Sequence, residues 1–309
     1  MQRRLSFLTL ALALTTLLIC NVCGAQTSAP QSPIGAKLVL WIGSDGFGSH
    51  YVNWEELPNL KAMRDNGAWT LHMRTVLPSA SALNWESQLT GVPSEMHGYR
   101  TWGSREPDLP PIYLNEHGRF PDIYRVLKDN IPGFTGTVVY SWEGIGYLYD
   151  KEAVDDAVYI TGDNIEEVYQ TGIKQLATKP TFAWIYFSQP DHVGHAIGWG
   201  TPEYQQMMTT IDSYVGKIRD YLQEQGLLED TVMIFTADHG GSEKGHGDAR
   251  LDHMEAPFIM CGKGVKPGEI EEVFVCFDVA PTIAWIYGVP APLQWRGRAP
   301  LKHFDIPQK

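Results

Sequence analysis

Five short apolar runs constrain the fold more than any other feature of this chain: "KLVLWIG" (37–43), "TGTVVYS" (135–141), "TFAWIYF" (181–187), "TVMIFTA" (231–237) and "APFIMCG" (256–262). They are bounded by Gly, Pro or Asp and lack the alternation of a strand with one wet face, so each predicts a strand buried on both sides. Between them, "LPNLKAMRDNG" predicts a helix ended by Gly67, and "NIEEVYQTGIKQLA" another. "TPEYQQMMTTIDSYVGKIRDYLQEQG" predicts a long amphipathic helix, with Pro202 near its start and Gly226 at its stop. Such alternation implies an α/β fold with a mostly parallel central sheet and helices on both faces. One domain over 37–309 is expected, after a short polar leader at 26–36, with no internal repeat or low-complexity tract.

In sheets of this kind, sites collect beyond the C-terminal ends of the strands. Three runs end in matching chemistry. After "KLVLWIG" comes "SDGFGSH" with Asp45; after "TFAWIYF" comes "SQPDHVGH" with Asp191 and His195; after "TVMIF" comes "TADHGGSEKGHG" with Asp238, His239 and His246. Carboxylate oxygen and neutral imidazole together suit zinc or a similar transition ion. Asp191 and His195, one helical turn apart, can face a single ion. Taken singly, each aspartate reads as well as a helix cap and each histidine as a surface residue. Three strand ends carrying the same pair are harder to explain as caps.

A reactive hydroxyl is offered by "VLPSASALNWESQLTG" (76–91), where "ALNWESQL" predicts a helix. A serine at its start sits at the positive end of a helix dipole, where oxyanions and phosphates are favoured. Ser79 and Ser81 both qualify, and both also read as ordinary caps.

The chain of 309 residues opens with two arginines, an apolar run from Leu5 to Ile19 and small residues ending at Ala25. That order predicts a signal peptide over 1–25 and a secreted or periplasmic location, with no membrane span after cleavage; an uncleaved anchor is the alternative. No small residue precedes Cys20 or Cys23, which counts against lipid attachment. Of the other cysteines, Cys261 and Cys276 read either as one disulfide or as two buried thiols. A net charge of −12 argues against nucleic-acid polymers or anionic membranes as partners, so a small anionic substrate needs a local reversal of sign.

"DGFGSHY", "LPNLKAM", "VLPSASALNW", "QLTGVPSEMHGY", "SQPDHVGHAIG", "TADHGG", "GHG", "MEAPFIMCGKGVKPG" and "FDVAPTIAWIYGVPAP" occur in this order. As an ordered set they resemble the alkaline phosphatase superfamily, and within it the type I phosphodiesterase/nucleotide pyrophosphatase family. The resemblance implies two divalent cations, zinc foremost. One is held by Asp45, Asp238, His239 and the oxygen of Ser81, and the other by Asp191, His195 and His246. It also implies Ser81 as nucleophile, three residues before Asn84, whose amide donates to a phosphoryl oxygen. His246, between two glycines, is chosen over His253 on the same ground.

The implied reaction is hydrolysis of a phosphodiester or pyrophosphate through a phosphoserine. "SASALN" departs from the threonine and proline found in many phosphodiesterases of this branch, which keeps phosphomonoesters open. A sulfatase is disfavoured because no C/S-x-P-x-R motif surrounds Ser81. A non-catalytic metal-binding member is disfavoured because every implied ligand is present. Lys244 and Lys263 are available as further positive charge, and substrate choice is expected in the loops 101–120, 142–157 and 196–204.

Overall fold

The computed structural model describes residues 29–306. The predicted signal peptide, with Cys20 and Cys23, lies outside the described residues. Eight strands, β1 (Leu38–Ser44), β2 (Gly67–Arg74), β3 (Gly136–Tyr140), β4 (Asp156–Tyr159), β5 (Phe182–Phe187), β6 (Thr231–Thr236), β7 (Glu255–Gly262) and β8 (Gly268–Glu269), form one sheet. Their order is β4-β3-β5-β1-β6-β7-β2-β8. The helices around it are α1 (Pro58–Asp65), α2 (Ser81–Thr90), α3 (Ser94–His97), α4 (Ile123–Asn130), α5 (Ile165–Ala177), α6 (Asp191–Ala196), α7 (Pro202–Glu224), α8 (Leu251–Met254) and α9 (Val279–Ile286). None of the described helices is long and apolar enough to cross a membrane.

Every residue of β1, β3, β5 and β6 is buried, as expected of strands covered on both faces. Helix starts follow local chemistry: Asn164 caps α5 by accepting from Glu167 N–H, and Thr201 caps α7 by accepting from Tyr204 N–H. The five predicted strands are all present. β7 nevertheless runs antiparallel to both of its neighbours, β6 and β2, a direction that a buried apolar run does not encode.

Sequence periodicity missed β2, β4 and β8. β4 is an exposed edge strand, β8 has two residues, and β2 alternates buried with half-exposed positions. Gly67, expected to end α1, instead opens β2. A Cβ there would lie 2.0 Å from the Met260 carbonyl oxygen, so close strand approach, not a turn, requires the glycine. Cys261 and Cys276 are both free thiols, and burial pushes the Cys276 thiol up to about 12.

For the site, the decisive feature is that β5, β1 and β6 are adjacent and parallel. Neighbouring strands lie about 4.8 Å apart. The segments after these three strands therefore emerge side by side from one edge of the sheet.

Candidate active site

Asp45 follows β1, Asp191 and His195 stand on α6 after β5, and Asp238 and His239 follow β6. His246 returns on the loop beyond. His239 Nε2 lies 3.5 Å from Asp45 Oδ1, 3.2 Å from Asp238 Oδ2 and 3.3 Å from Ser81 Oγ. Beside this group, His195 Nε2 lies 3.6 Å from Asp191 Oδ1 and 3.1 Å from His246 Nε2, which is 3.9 Å from Asp191 Oδ1. Ligand atoms around a tetrahedral zinc with bonds of about 2.0–2.1 Å sit about 3.3 Å apart, so both groups have the spacing of a coordination shell. His239 also gathers with Asp191 and His246, and the His239 and His246 rings stack with centroids 3.7 Å apart, so His239 stands between the two groups.

The supporting hydrogen bonds fix which atoms face inward. His239 Nδ1 donates to the Gly240 carbonyl, His246 Nδ1 to that of Ser79 and His195 Nδ1 to that of Lys244, at 2.8, 2.8 and 3.0 Å. Each ring is thereby held in the tautomer that leaves Nε2 as a lone pair. The Nε2 atoms of His195 and His246 face one another at 3.1 Å, a spacing that two ligands of one cation would have.

The carboxylates follow the same logic. Asp45 Oδ2 accepts from the Tyr186 hydroxyl and from Trp85 Nε1, and Asp238 Oδ1 accepts from Gly46 N–H. The other oxygens, Asp45 Oδ1 and Asp238 Oδ2, are buried with no hydrogen-bond partner, and so is Asp191 Oδ1. Orphaned buried oxygens are rare in folded proteins, and these three are the ones aimed into the two groups. The residues present therefore fit a pair of divalent cations.

Burial, reinforced by the neighbouring Asp238 charge, raises the Asp45 carboxyl well above its ordinary range. Burial does the same to Asp238 and Asp191, with added repulsion from Asp191 and Asp45 respectively. Burial lowers the two histidines, His239 well below its usual value and His246 to about 4. Neutral imidazoles beside reluctant carboxylates are poised to bind metal with release of protons from the acids.

Ser81 is the first residue of α2 and lines a cleft of about 610 Å³ together with Asp45, Asp191, His195 and His246. Ser79 is fully buried and engaged elsewhere: its hydroxyl donates to the Asp248 carbonyl and accepts from Gly247 N–H, holding the His246 loop. His253 also braces that loop, meeting Ser242 Oγ at 2.7 Å and accepting from Asp248 N–H. Lys244 Nζ donates to the Ala196 carbonyl, Lys263 lies near Asp230, and neither lines the cleft.

Asn84, expected to donate to a phosphoryl oxygen, stands apart from the cleft lining. Its side chain is fully buried, with Nδ2 donating to the Ala80 carbonyl at 2.9 Å and Oδ1 accepting from Val76 N–H at 2.8 Å. The amide pins the loop before Ser81 and does not face the cleft. One turn into α2, it points back into the preceding loop rather than toward the helix's open end.

Sequence reasoning also passed over His192, which lines the cleft with its Nδ1 held by the Asp163 carboxylate, itself fixed by the Ser188 hydroxyl at 2.8 Å. Arg100, Trp102 and Trp142 line the same cleft. The substrate-loop expectation had included the tryptophans; Asp163 lies too far along the chain for any motif to pair it with His192.

Residues 39–260 match the family model for type I phosphodiesterase / nucleotide pyrophosphatase. The chain belongs to that family. It is 25% identical over 238 residues to ectonucleotide pyrophosphatase/phosphodiesterase family member 3 of Rattus norvegicus, a match covering 70% of this chain and 26% of the relative. It is 26% identical over 240 residues to venom phosphodiesterase CdcPDE of Crotalus durissus collilineatus, covering 71% and 28%. The chain thus spans about a quarter of the length of these family relatives. Among solved structures, human ectonucleotide pyrophosphatase / phosphodiesterase 5 superposes with a TM-score of 0.69 at 14% identity, covering 86% of this chain and 98% of that one. A 2-O GAG sulfatase reaches the same TM-score at 13% identity, covering 88% and 73%. These likenesses show the alkaline-phosphatase-like fold.

Two outcomes follow from this geometry. His246→Ala should lose one of two bound zinc ions, whereas His253→Ala should lower the melting temperature yet keep both, as measured by emission spectroscopy on the purified variants; metal loss confined to His253→Ala would reverse the assignment. In the metal-stripped protein, acids with raised pKa stabilise the fold below the ordinary carboxylate range and lose that contribution as pH rises through their folded values. Zinc requires the ionised acids. The zinc-induced gain in melting temperature should therefore widen from pH 4 toward pH 7, and a gain that is constant or shrinks over that range contradicts the burial argument.

Proposed function

We propose that the protein is a secreted two-metal hydrolase of phosphate esters, of the phosphodiester or pyrophosphate type, working through a phosphoserine at Ser81. The observation that carries this reading is the convergence of three orphaned carboxylate oxygens and three histidine Nε2 atoms beside one hydroxyl at a helix start. Asp45, Asp238, His239 and Ser81 would hold one cation, and Asp191, His195 and His246 the other. When bound, the two ions supply charge neutralisation for phosphoryl oxygens and lower the pKa of hydroxyl and water oxygens.

This chain's own groups do the positioning. The Asn84 amide and the Ser79 hydroxyl fix the backbone that leads into Ser81, whose Oγ meets His239 Nε2 at 3.3 Å. Ser81 Oγ forms the new bond to phosphorus as the bond to the leaving alcohol or phosphate breaks, and hydrolysis of the phosphoserine restores the hydroxyl. The positive end of α2 lies beside the reacting phosphoryl group. Trp102 and Trp142 supply apolar wall to the cleft.

Similarity to ecto- and venom phosphodiesterases and the apolar segment from Leu5 to Ile19 support action outside the cytoplasm. The net charge of −12 favours small phosphate esters over nucleic-acid polymers. A phosphomonoesterase on the same residues is the second reading, favoured by "SASALN" in place of a threonine- and proline-containing loop.

The zinc-loaded protein should hydrolyse p-nitrophenyl or bis-p-nitrophenyl phosphate and lose that activity to a chelator. Ser81→Ala should lower kcat by about a thousandfold or more, with circular dichroism unchanged and most metal retained. Ser79→Ala should act mainly through stability. Full turnover without metal, or near-normal turnover in Ser81→Ala, would refute the reading.

A further inference from the structure

We propose that Arg100 recognises a second negative charge beside the reacting phosphorus, so that the site prefers an unesterified phosphoryl group or one joined to a further phosphate over a singly charged diester. This rests on the phosphate-ester reading above and narrows it to pyrophosphates and monoesters. Four observations carry it.

First, Arg100 is the only lysine or arginine among the described residues that line the cleft. Second, its guanidinium has no ion pair and no side-chain hydrogen bond among the described residues, although Arg64, Arg74, Arg105, Arg125, Arg219 and Arg250 all pair with acids. An arginine left unpaired in so acidic a protein, on the wall of an anion-binding cleft, is an available fork for phosphate oxygens.

Third, its backbone is fixed even though its side chain is exposed. Arg100 N–H donates to Asp108 Oδ2 at 2.7 Å, Ser104 Oγ bridges Thr101 and Asp108, and the Trp102 carbonyl accepts from Ala82 N–H at 3.1 Å. The last bond ties this segment to the residue after Ser81, and Arg100 and Ser81 line the same cleft. Asp108 holds the main chain and leaves the guanidinium free. Fourth, Asn84 is committed to its own loop, and Lys244 to the Ala196 carbonyl, so neither competes for the role.

An exposed arginine is ordinarily a solvated surface group, and substrate discrimination separates the two cases. The substrates are bis-p-nitrophenyl phosphate, with one charge; p-nitrophenyl phosphate, with two on the reacting phosphorus; and a dinucleoside pyrophosphate, with the second on the adjacent phosphate. Arg100→Ala should lower kcat/KM by about tenfold to a hundredfold on whichever doubly charged substrate is used, and by less than about threefold on the diester, the effect expected of losing one charge-assisted contact. Arg100→Lys should recover part of the loss. A uniform change across all three substrates, or none, overturns the proposal.

Binding gives a readout that needs no turnover. In zinc-loaded Ser81→Ala protein, titration calorimetry should show inorganic phosphate binding more tightly than dimethyl phosphate, and adding Arg100→Ala should remove most of that difference. Retention of the full difference overturns the proposal. Absence of hydrolysis by the unaltered protein, with phosphate binding that still depends on Arg100, would sink the hydrolase reading alone.

Discussion

Three carboxylates are buried at one edge of the sheet, each with an oxygen that no protein donor reaches. An ionised carboxylate taken out of water costs several kcal/mol unless something of opposite charge sits against it. Among the described residues no lysine or arginine pairs with Asp45, Asp191 or Asp238; their partners are histidines, and burial lowers the pKa of His239 and His246. The fold therefore carries an electrostatic deficit that two divalent cations would cancel. The histidine Nε2 atoms and Ser81 Oγ are gathered around that deficit.

The sheet order concentrates it. Because β1 lies between β5 and β6 and all three run parallel, the segments that follow them reach the same side of the sheet although they are far apart in the chain. The surrounding bonds then remove freedom atom by atom. Tyr186 and Trp85 occupy one Asp45 oxygen, Gly46 occupies one Asp238 oxygen, and three backbone carbonyls take the histidine Nδ1 protons. Preorganisation of this kind is costly to the apoprotein and useful to a site that must hold charge in a fixed place.

Much of this was legible in the sequence because it rests on local pattern. Buried strands leave long apolar runs, and residues just past their ends fall at one edge whatever the loops do, so Asp45, Asp191 and Asp238 could be found without coordinates. What stayed hidden depends on direction and orientation. The antiparallel course of β7 leaves no mark on its composition. Asn84 sits at the expected distance from Ser81 along the chain, yet its amide turns into the loop because Val76 N–H and the Ala80 carbonyl are there to receive it. Arg100 falls just outside the quoted motifs and His192 lies unremarked inside "SQPDHVGHAIG"; that both line one cleft appears only in the folded chain.

Each of these donor sets is proposed to hold an ion. Anomalous diffraction at the zinc absorption edge, from crystals of the zinc-loaded protein, tests it directly. Two peaks are predicted, one among Asp45, Asp238, His239 and Ser81 and the other among Asp191, His195 and His246. No peak, a single peak, or peaks away from these residues would contradict it.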